Sequence, residues 1–359
     1  MKRILVVRRD NIGDLVCTTP LIRALRQRYP DARIDALVNS YNLPVVAHNP
    51  DLDNAYAYTK AKHRAPGESL LGVTWRRLRL MWQLRATRYD LVVLANGGCL
   101  KRPLRLARLI APAHTLGFYD AEVDGAGLID LRVQESVPRR GHEVEAIFAL
   151  LAPLGISPPP GPQVLAADPR QLALVRQRLR AQAWFAERPT LAVHISARKP
   201  SQRWPAAHFV AALRALAAQH DAQFMLFWSP GSEDNPLHPG DDDKAAQILS
   251  ALPADFPLLP WPTAHLDELI GGLAACSGML CSDGGAMHIG AALGLPIACF
   301  FGQSDVDTWR PWGVAQRIMQ APSLDAADVA PDTACQALGE LWPQIAQRAQ
   351  ERPSAGTGI

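Results

Sequence analysis

Short apolar runs alternate with segments of helical hydrophobic period along this chain. In the first half the runs Ile4 to Val7, Ile34 to Val38 and Leu91 to Ala95 read as strands, and Val16 to Arg28 reads as a helix. The same alternation returns later. Strands are predicted at Leu191 to Ile195, Phe224 to Trp228, Met279 to Cys281 and Ile297 to Phe301, with helices at Phe209 to Ala218, Ala245 to Leu252 and Leu266 to Ala275. Strand-helix repetition of this kind builds parallel sheets with helices on both faces, so each half is expected to be α/β and doubly wound.

Between the halves lies Ser157-Pro158-Pro159-Pro160-Gly161-Pro162, which cannot continue a helix and is stiffened by its prolines. It sets an expected boundary near residue 165. A length of 359 residues agrees, being too long for one core. After Pro322 the pattern weakens. Ala334 to Arg348 then reads as a last helix containing Pro343, followed by a Pro/Ser/Gly-rich tail without an apolar pattern to hold it.

The composition, 48% hydrophobic and 20% charged with a net charge of +3, is that of an ordinary water-soluble protein. No apolar run approaches the ~18 residues of a spanning helix, and Met1 to Val7 is a charge-flanked strand rather than a signal peptide. A cytoplasmic location is expected. Cys17, Cys99, Cys276, Cys281, Cys299 and Cys335 lie scattered in apolar stretches without metal-ligand spacing, which suits packing thiols in a reducing compartment.

Two turns carry the chemistry. Cys281-Ser282-Asp283-Gly284-Gly285-Ala286-Met287-His288 runs from an apolar strand through two glycines into a small-residue helix. Backbone N–H groups and the positive end of the helix dipole converge there, and glycine lets an anion approach. Arg8-Arg9-Asp10-Asn11-Ile12-Gly13-Asp14-Leu15 likewise follows a strand and precedes a helix. Each turn can also be a plain strand-to-helix connection, in which Asp14 caps a helix starting near Leu15.

Charge is uneven. From Lys60 to Arg108 there are twelve Lys and Arg against Glu68 and Asp90, a surface suited to an anionic partner. Within it Leu71, Trp75, Leu78 and Trp82 form one helical stripe while Arg76, Arg77 and Arg79 point elsewhere. The stripe fits an interfacial helix on anionic lipid, and equally a helix packed on its own sheet. Nucleic acid is disfavoured, because no zinc-finger or ribonucleoprotein motif is present and the aromatics are not interleaved with the basic residues.

Three segments in this order and spacing resemble glycosyltransferase family 9, which includes the lipopolysaccharide heptosyltransferases. They are Ile4 to Val16 with Pro20 beyond, His194 to Pro205 ending in Arg203-Trp204-Pro205, and Ser282 to His288 through Gly302. The resemblance covers about residues 1 to 320. It implies the GT-B architecture, two facing Rossmann-like doubly wound domains with an interdomain cleft. Residues 1–165 would bind the acceptor and 166–330 the nucleotide sugar, with the final helix, 334–348, returning to the first domain.

By the same resemblance Asp14 is the candidate catalytic base, with Asp10 as rival, and Arg8, Arg9, Asn11 and Gly13 are acceptor-side candidates. Candidate contacts to the nucleotide sugar are Ser196, Arg198, Lys199, Arg203, Trp204, Glu233, Asp283, Gly284, Gly285, Ala286, Met287 and His288. Within this set Glu233 is read as a ribose contact, Asp283 as organising sugar or loop, and His288 as either a phosphate donor or a core histidine. The chain departs from the family at Gln202, where a lysine is common two residues before the tryptophan, so the cation that meets the diphosphate stays open among Arg198, Lys199 and Arg203.

Asp241-Asp242-Asp243 superficially resembles a metal-binding D-x-D motif, but it precedes a helix and reads as capping. No protein-held metal or other cofactor is expected, at most Mg2+ accompanying the nucleotide. The reading is an inverting glycosyltransferase acting on a glycan or lipid-linked saccharide, with heptose from ADP-heptose the leading donor and peripheral contact with the inner membrane. The alternatives are a GT-B sugar-nucleotide epimerase and a non-catalytic sugar-nucleotide or glycan-binding protein.

Overall fold

The computed structural model describes residues 1–58, 70–134, 141–157, 159–235 and 240–351, without the side chains of Leu70, Leu71 and Val73. The tail beyond 351, Leu71 of the helical stripe and the basic positions at 60–64 lie outside the described residues. The chain divides into two compact units between Ala166 and Ala167.

In the first unit six strands, β1 (Arg3–Val7), β2 (Arg33–Asn39), β3 (Asn54–Tyr58), β4 (Leu91–Leu94), β5 (His114–Tyr119) and β6 (Leu131–Gln134), pair in the order β3-β2-β1-β4-β5-β6. All pairs are parallel. Central β1 and β4 are apolar on both faces because helices cover both, which is why they read as continuous hydrophobic runs. The helices are α1 (Ile12–Arg28), α2 (Leu70–Thr87), α3 (Lys101–Ile110) and α4 (Glu143–Phe148). One core layer joins α1 and α4 to the sheet through Leu21, Ile22, Leu25, Ile147 and Phe148. The opposite layer holds Leu84, Leu104, Ala107 and Ile110 of α2 and α3.

The second unit repeats the plan. Strands β7 (Thr190–His194), β8 (Gln223–Trp228), β9 (Leu258–Pro262), β10 (Gly278–Ser282), β11 (Ile297–Phe301) and β12 (Gln316–Gln320) pair in parallel as β12-β11-β10-β7-β8-β9. Its helices are α5 (Pro169–Arg180), α6 (Ala206–Gln219), α7 (Asp242–Ala251), α8 (Leu266–Ala274), α9 (Gly285–Ala292), α10 (Val306–Trp309) and α11 (Pro331–Glu351). Helix α11 continues through Pro343 and packs against α6, β11 and β12. Within the second unit its Leu338, Leu341 and Ile345 enter the core.

In both sheets the order reverses beside the first strand, so loops leaving neighbouring strands diverge and open a crevice at the carboxyl edge. The turns after β1 and β10 sit at such edges. No helix among the described residues is long and apolar enough to cross a membrane.

Candidate functional site

The first turn is built around a buried arginine. Arg8 follows β1 and is 1% exposed, yet charged, so it must be compensated. Its Nη2 donates to Asp14 Oδ1 at 2.8 Å and to Glu143 Oε1 at 3.0 Å, Nη1 donates to the Ala95 carbonyl, and Nε lies 3.1 Å from Asp10 Oδ2. Burial works against the charge, but Asp14, Glu143 and Asp10 together outweigh it and hold the guanidinium above its ordinary pKa. Arg8, read from the sequence as an acceptor-side residue, is thus spent on its neighbours and orients the three carboxylates around it.

Asp14 is placed by helix α1. The helix begins four residues earlier than the hydrophobic pattern suggested, so the cap residue is Asn11 and Asp14 sits one turn inside. Its Oδ2 accepts from the Asn11 backbone N–H at 3.1 Å while Oδ1 takes Arg8. Both oxygens are thus oriented, and 15% of the side chain stays open to solvent. Pro20 inside the helix leaves the Val16 carbonyl without its usual partner, and Thr19 Oγ1 donates to it at 2.7 Å instead.

Asp10 is held mainly through its backbone, and 30% of its side chain is exposed. Its Oδ2 accepts from Asn96 Nδ2 at 2.9 Å, and its carbonyl accepts from Asn39 Nδ2 at 3.1 Å, Tyr41 OH at 2.5 Å and Asn42 Nδ2 at 3.3 Å. Arg9 lies over the Tyr58 ring at 3.7 Å, with Arg77 5.0 Å from the same ring. Burial lowers the pKa of Arg9, and the charges of Arg77 and Arg102 lower it further. Asn11 is exposed at the helix start, and Gly13 is buried in the first turn. Glu143 escaped the sequence reading: it opens a six-residue helix whose pattern gives no hint that its carboxylate meets Arg8 across 135 positions.

In the second unit the turn after β10 is held open by glycine. Gly284 has φ +158°, and a Cβ there would have nothing within 4 Å, so the chain is open beside the start of α9, where the first amides have no partner within the helix. Met287 and His288 face inward, at 0% and 2% exposed, and the His288 ring meets Trp309 edge-on at 6.0 Å. Their side chains are core, and this turn offers its backbone.

Opposite lies the loop after β7. Gln202 is buried and donates Nε2 to Asp283 Oδ2 at 2.6 Å and to Ser304 Oγ at 3.0 Å, while Lys199 Nζ donates to the same Ser304 Oγ at 3.1 Å. Ser282 Oγ donates to the Gln202 carbonyl at 2.7 Å. Burial pushes Asp283 up, and Ser304, Lys199 and Gln202 pull it partly back. At Gly302 an added Cβ would come within 2.4 Å of the Ser201 carbonyl oxygen, so only glycine lets the loops meet. The Trp204 side chain is packed inward: it is 1% exposed, donates Nε1 to the Val329 carbonyl at 2.8 Å and stacks on Phe300 at 4.3 Å. It anchors the loop that carries Lys199 and Gln202.

The neighbouring strand end adds Ser196, whose Oγ accepts from the Ser229 N–H at 2.9 Å. Arg203 forms an ion pair with Glu233, so Glu233 is engaged by a cation of the loop. Arg198 and Lys199 are exposed. Asp242 accepts from Trp228 Nε1 at 2.7 Å and from the Gly231 N–H at 2.8 Å at the start of α7, a structural use of the triple aspartate. Among the described residues no three His, Cys, Asp or Glu side chains gather to hold a metal ion.

Lys244 is a further cation that sequence reading took only as the start of a helix. Its Nζ donates to the Ile195 carbonyl at 3.0 Å beneath the loop, and burial lowers its pKa to about 8. His194 lies beside it at 9% exposed. Burial, with the Lys244 charge, lowers His194 to about 4 from an ordinary 6.5. The unfolded chain therefore takes up this proton first, and stability present above pH 6.5 is lost as pH falls toward 4, by roughly 3 kcal/mol in full. His194→Gln is expected to flatten that part of the unfolding profile, read as urea midpoints from pH 7 to 4; an unchanged slope would show that His194 does not carry it.

The glycosyltransferase family 9 (heptosyltransferase) profile matches residues 77–335. The chain belongs to this family. Among curated relatives, lipopolysaccharide heptosyltransferase 3 of Escherichia coli is 27% identical over 310 residues, which span 84% of this chain and 83% of that protein. A solved family 9 glycosyltransferase from Veillonella parvula superposes with a TM-score of 0.79 at 16% identity, covering 96% of this chain and 97% of that one. The E. coli heptosyltransferase WaaC with ADP-2-deoxy-2-fluoro heptose gives 0.71 at 20% identity, covering 94% and 99%. The fold of this family 9 protein is thus GT-B, two Rossmann-like units in one chain. Membership makes it a glycosyltransferase, which sets aside the epimerase and binding-protein readings.

Proposed function

We propose that this family 9 enzyme transfers a heptose from ADP-heptose to a lipopolysaccharide core acceptor, with inversion, and that Asp14 is its base. The observation that carries the base assignment is Asp14 itself: a carboxylate at the carboxyl edge of the first sheet, oriented through both oxygens and still partly open. In a single displacement the acceptor oxygen bonds to the anomeric carbon, the bond from that carbon to the diphosphate oxygen breaks, and the hydroxyl proton passes to Asp14. One guanidinium faces three carboxylates in the cluster, which holds Asp14 in a fixed orientation toward the edge of the sheet.

The leaving diphosphate gains negative charge, which preorganised donors stabilise most effectively. The amides at the start of α9 supply them, and Lys199 supplies the cation in place of the family's usual lysine, since Gln202 spends its amide on Asp283 and Ser304. The donor assignment is supported by the heptosyltransferase relatives and by the solved WaaC structure with an ADP-heptose analogue. A nucleotide sugar as donor suits the expected cytoplasmic location.

Calorimetry with ADP, UDP, GDP and CDP at fixed salt tests the donor, because a basic surface binds any anion weakly. ADP is expected to bind at least about tenfold more tightly than the others, a difference of about 1.4 kcal/mol. Equal binding of all four, or preference for another base, would overturn ADP-heptose as donor.

A further inference from the structure

Helix α2 has two apolar faces. Leu80, Met81 and Leu84 turn inward onto the core beneath the first sheet. Roughly half a turn away around the helix, Trp75, Leu78 and Trp82 fall on one stripe and are 69%, 59% and 74% exposed. The sequence allowed this stripe to be the core-facing one; the structure gives the core to the other face and leaves two tryptophans and a leucine in water.

A helix apolar on both sides ordinarily has an apolar partner on both. Exposing large aromatics together is costly, and such patches mark interaction surfaces. Neighbouring α3 extends the patch with Leu109, 55% exposed, whose carbonyl accepts from Arg85 Nη1 of α2 at 2.9 Å.

The charge around the patch selects the partner. Helices α2 and α3 carry no Asp or Glu, whereas α2 bears Arg76, Arg77, Arg79 and Arg85 and α3 bears Lys101, Arg102, Arg105 and Arg108. A second copy of this face would bring two such clusters together and be repelled. A surface that offers negative charge at one depth and hydrocarbon below it satisfies both features, since tryptophan favours the interfacial layer and arginine its headgroups. We propose that α2, with α3 beside it, docks the enzyme on an anionic lipid bilayer, with Trp75, Leu78 and Trp82 inserted and Arg79, Arg105 and Arg108 on lipid phosphates. This docking is independent of which sugar or nucleotide the enzyme uses.

Flotation of the full-length protein with vesicles tests it. Vesicles of phosphatidylethanolamine mixed with phosphatidylglycerol are expected to carry the protein, and vesicles of phosphatidylcholine alone to carry at least about tenfold less. Replacing Trp75, Leu78 and Trp82 together by serine is expected to lower partitioning at least about tenfold. Replacing Arg79, Arg105 and Arg108 together by glutamine is expected to lower it roughly 100-fold on the anionic vesicles. All six side chains are exposed, so both variants are expected to keep the wild-type Tm and nucleotide affinity, which are measured alongside. Wild-type protein that does not float, or floats equally with both variants, overturns the proposal. So does a wild-type dimer in sedimentation velocity that the serine variant dissolves without any change in vesicle binding, because the face would then be a subunit interface.

Discussion

Asp14→Asn is expected to lower kcat/KM for sugar transfer by ~10² to 10⁴ while leaving the fold intact. Asparagine keeps a side-chain oxygen for the Asn11 N–H, so the start of α1 stays capped. It also removes one of three carboxylates grouped around a single guanidinium, so the cluster loses repulsion along with one ion pair. Tm should therefore hardly move, and ADP affinity should be unchanged if nucleotide is held by the second unit. Asp10→Asn is the control. Asp10 is fixed through Asn96 and through three donors on its carbonyl, and its replacement should cost less than about tenfold in rate. Activity of Asp14→Asn within about tenfold of wild type would remove Asp14 as base, and a larger loss in Asp10→Asn would transfer the role.

Arg8→Met is expected to destabilise the first unit by ~3–5 kcal/mol, the cost of breaking a buried ionic network by removing one partner. The substitution nearly preserves volume but strands Asp14, Glu143, Asp10 and the Ala95 carbonyl beside an apolar side chain. Carboxylates stranded in this way are raised above their ordinary pKa, so the deficit relative to wild type should be full above the raised values and shrink as pH falls through them toward ~4. Urea unfolding of the two proteins at pH 7 and at acid pH checks both the size and the direction. A midpoint equal to wild type at pH 7 would mean that the cluster is solvated and that Arg8 does not position Asp14.

These two residues also show what a linear reading reaches. The strand Ile4 to Val7, the polar turn and the following helix are visible because hydrophobic period and composition are local properties. The turn at Asp283 to Gly285 is visible for the same reason. Neither Glu143 nor Lys244 could be found that way. Glu143 meets Arg8, and Lys244 lies under the loop after β7, only because separate strand edges bring them there. Period also misplaced helix α1 by one turn: Ile12 and Gly13 fit helix geometry without extending the apolar stripe, so Asp14 stands at the third helical position and caps by closing a box with Asn11 instead of preceding the helix.

Trp204, Met287 and His288 illustrate the converse. They stand in the segments that mark the family, yet their side chains pack inward and anchor those loops from beneath. Their neighbours face the other way along the same few residues, and the alternation cannot be assigned a direction without the sheet.

By itself the sequence determined two strand-and-helix halves, a proline-rich link, the two chemical turns and the family, since each is carried by residues adjacent in the chain. The tertiary structure alone decided which carboxylates share Arg8, what Gln202 and Lys199 bond to, where α11 packs and which apolar face of α2 the core takes. The physical reason is the same in each case. Hydrophobic pattern states that a face needs an apolar or oppositely charged neighbour, and only contacts between distant segments settle which neighbour supplies it.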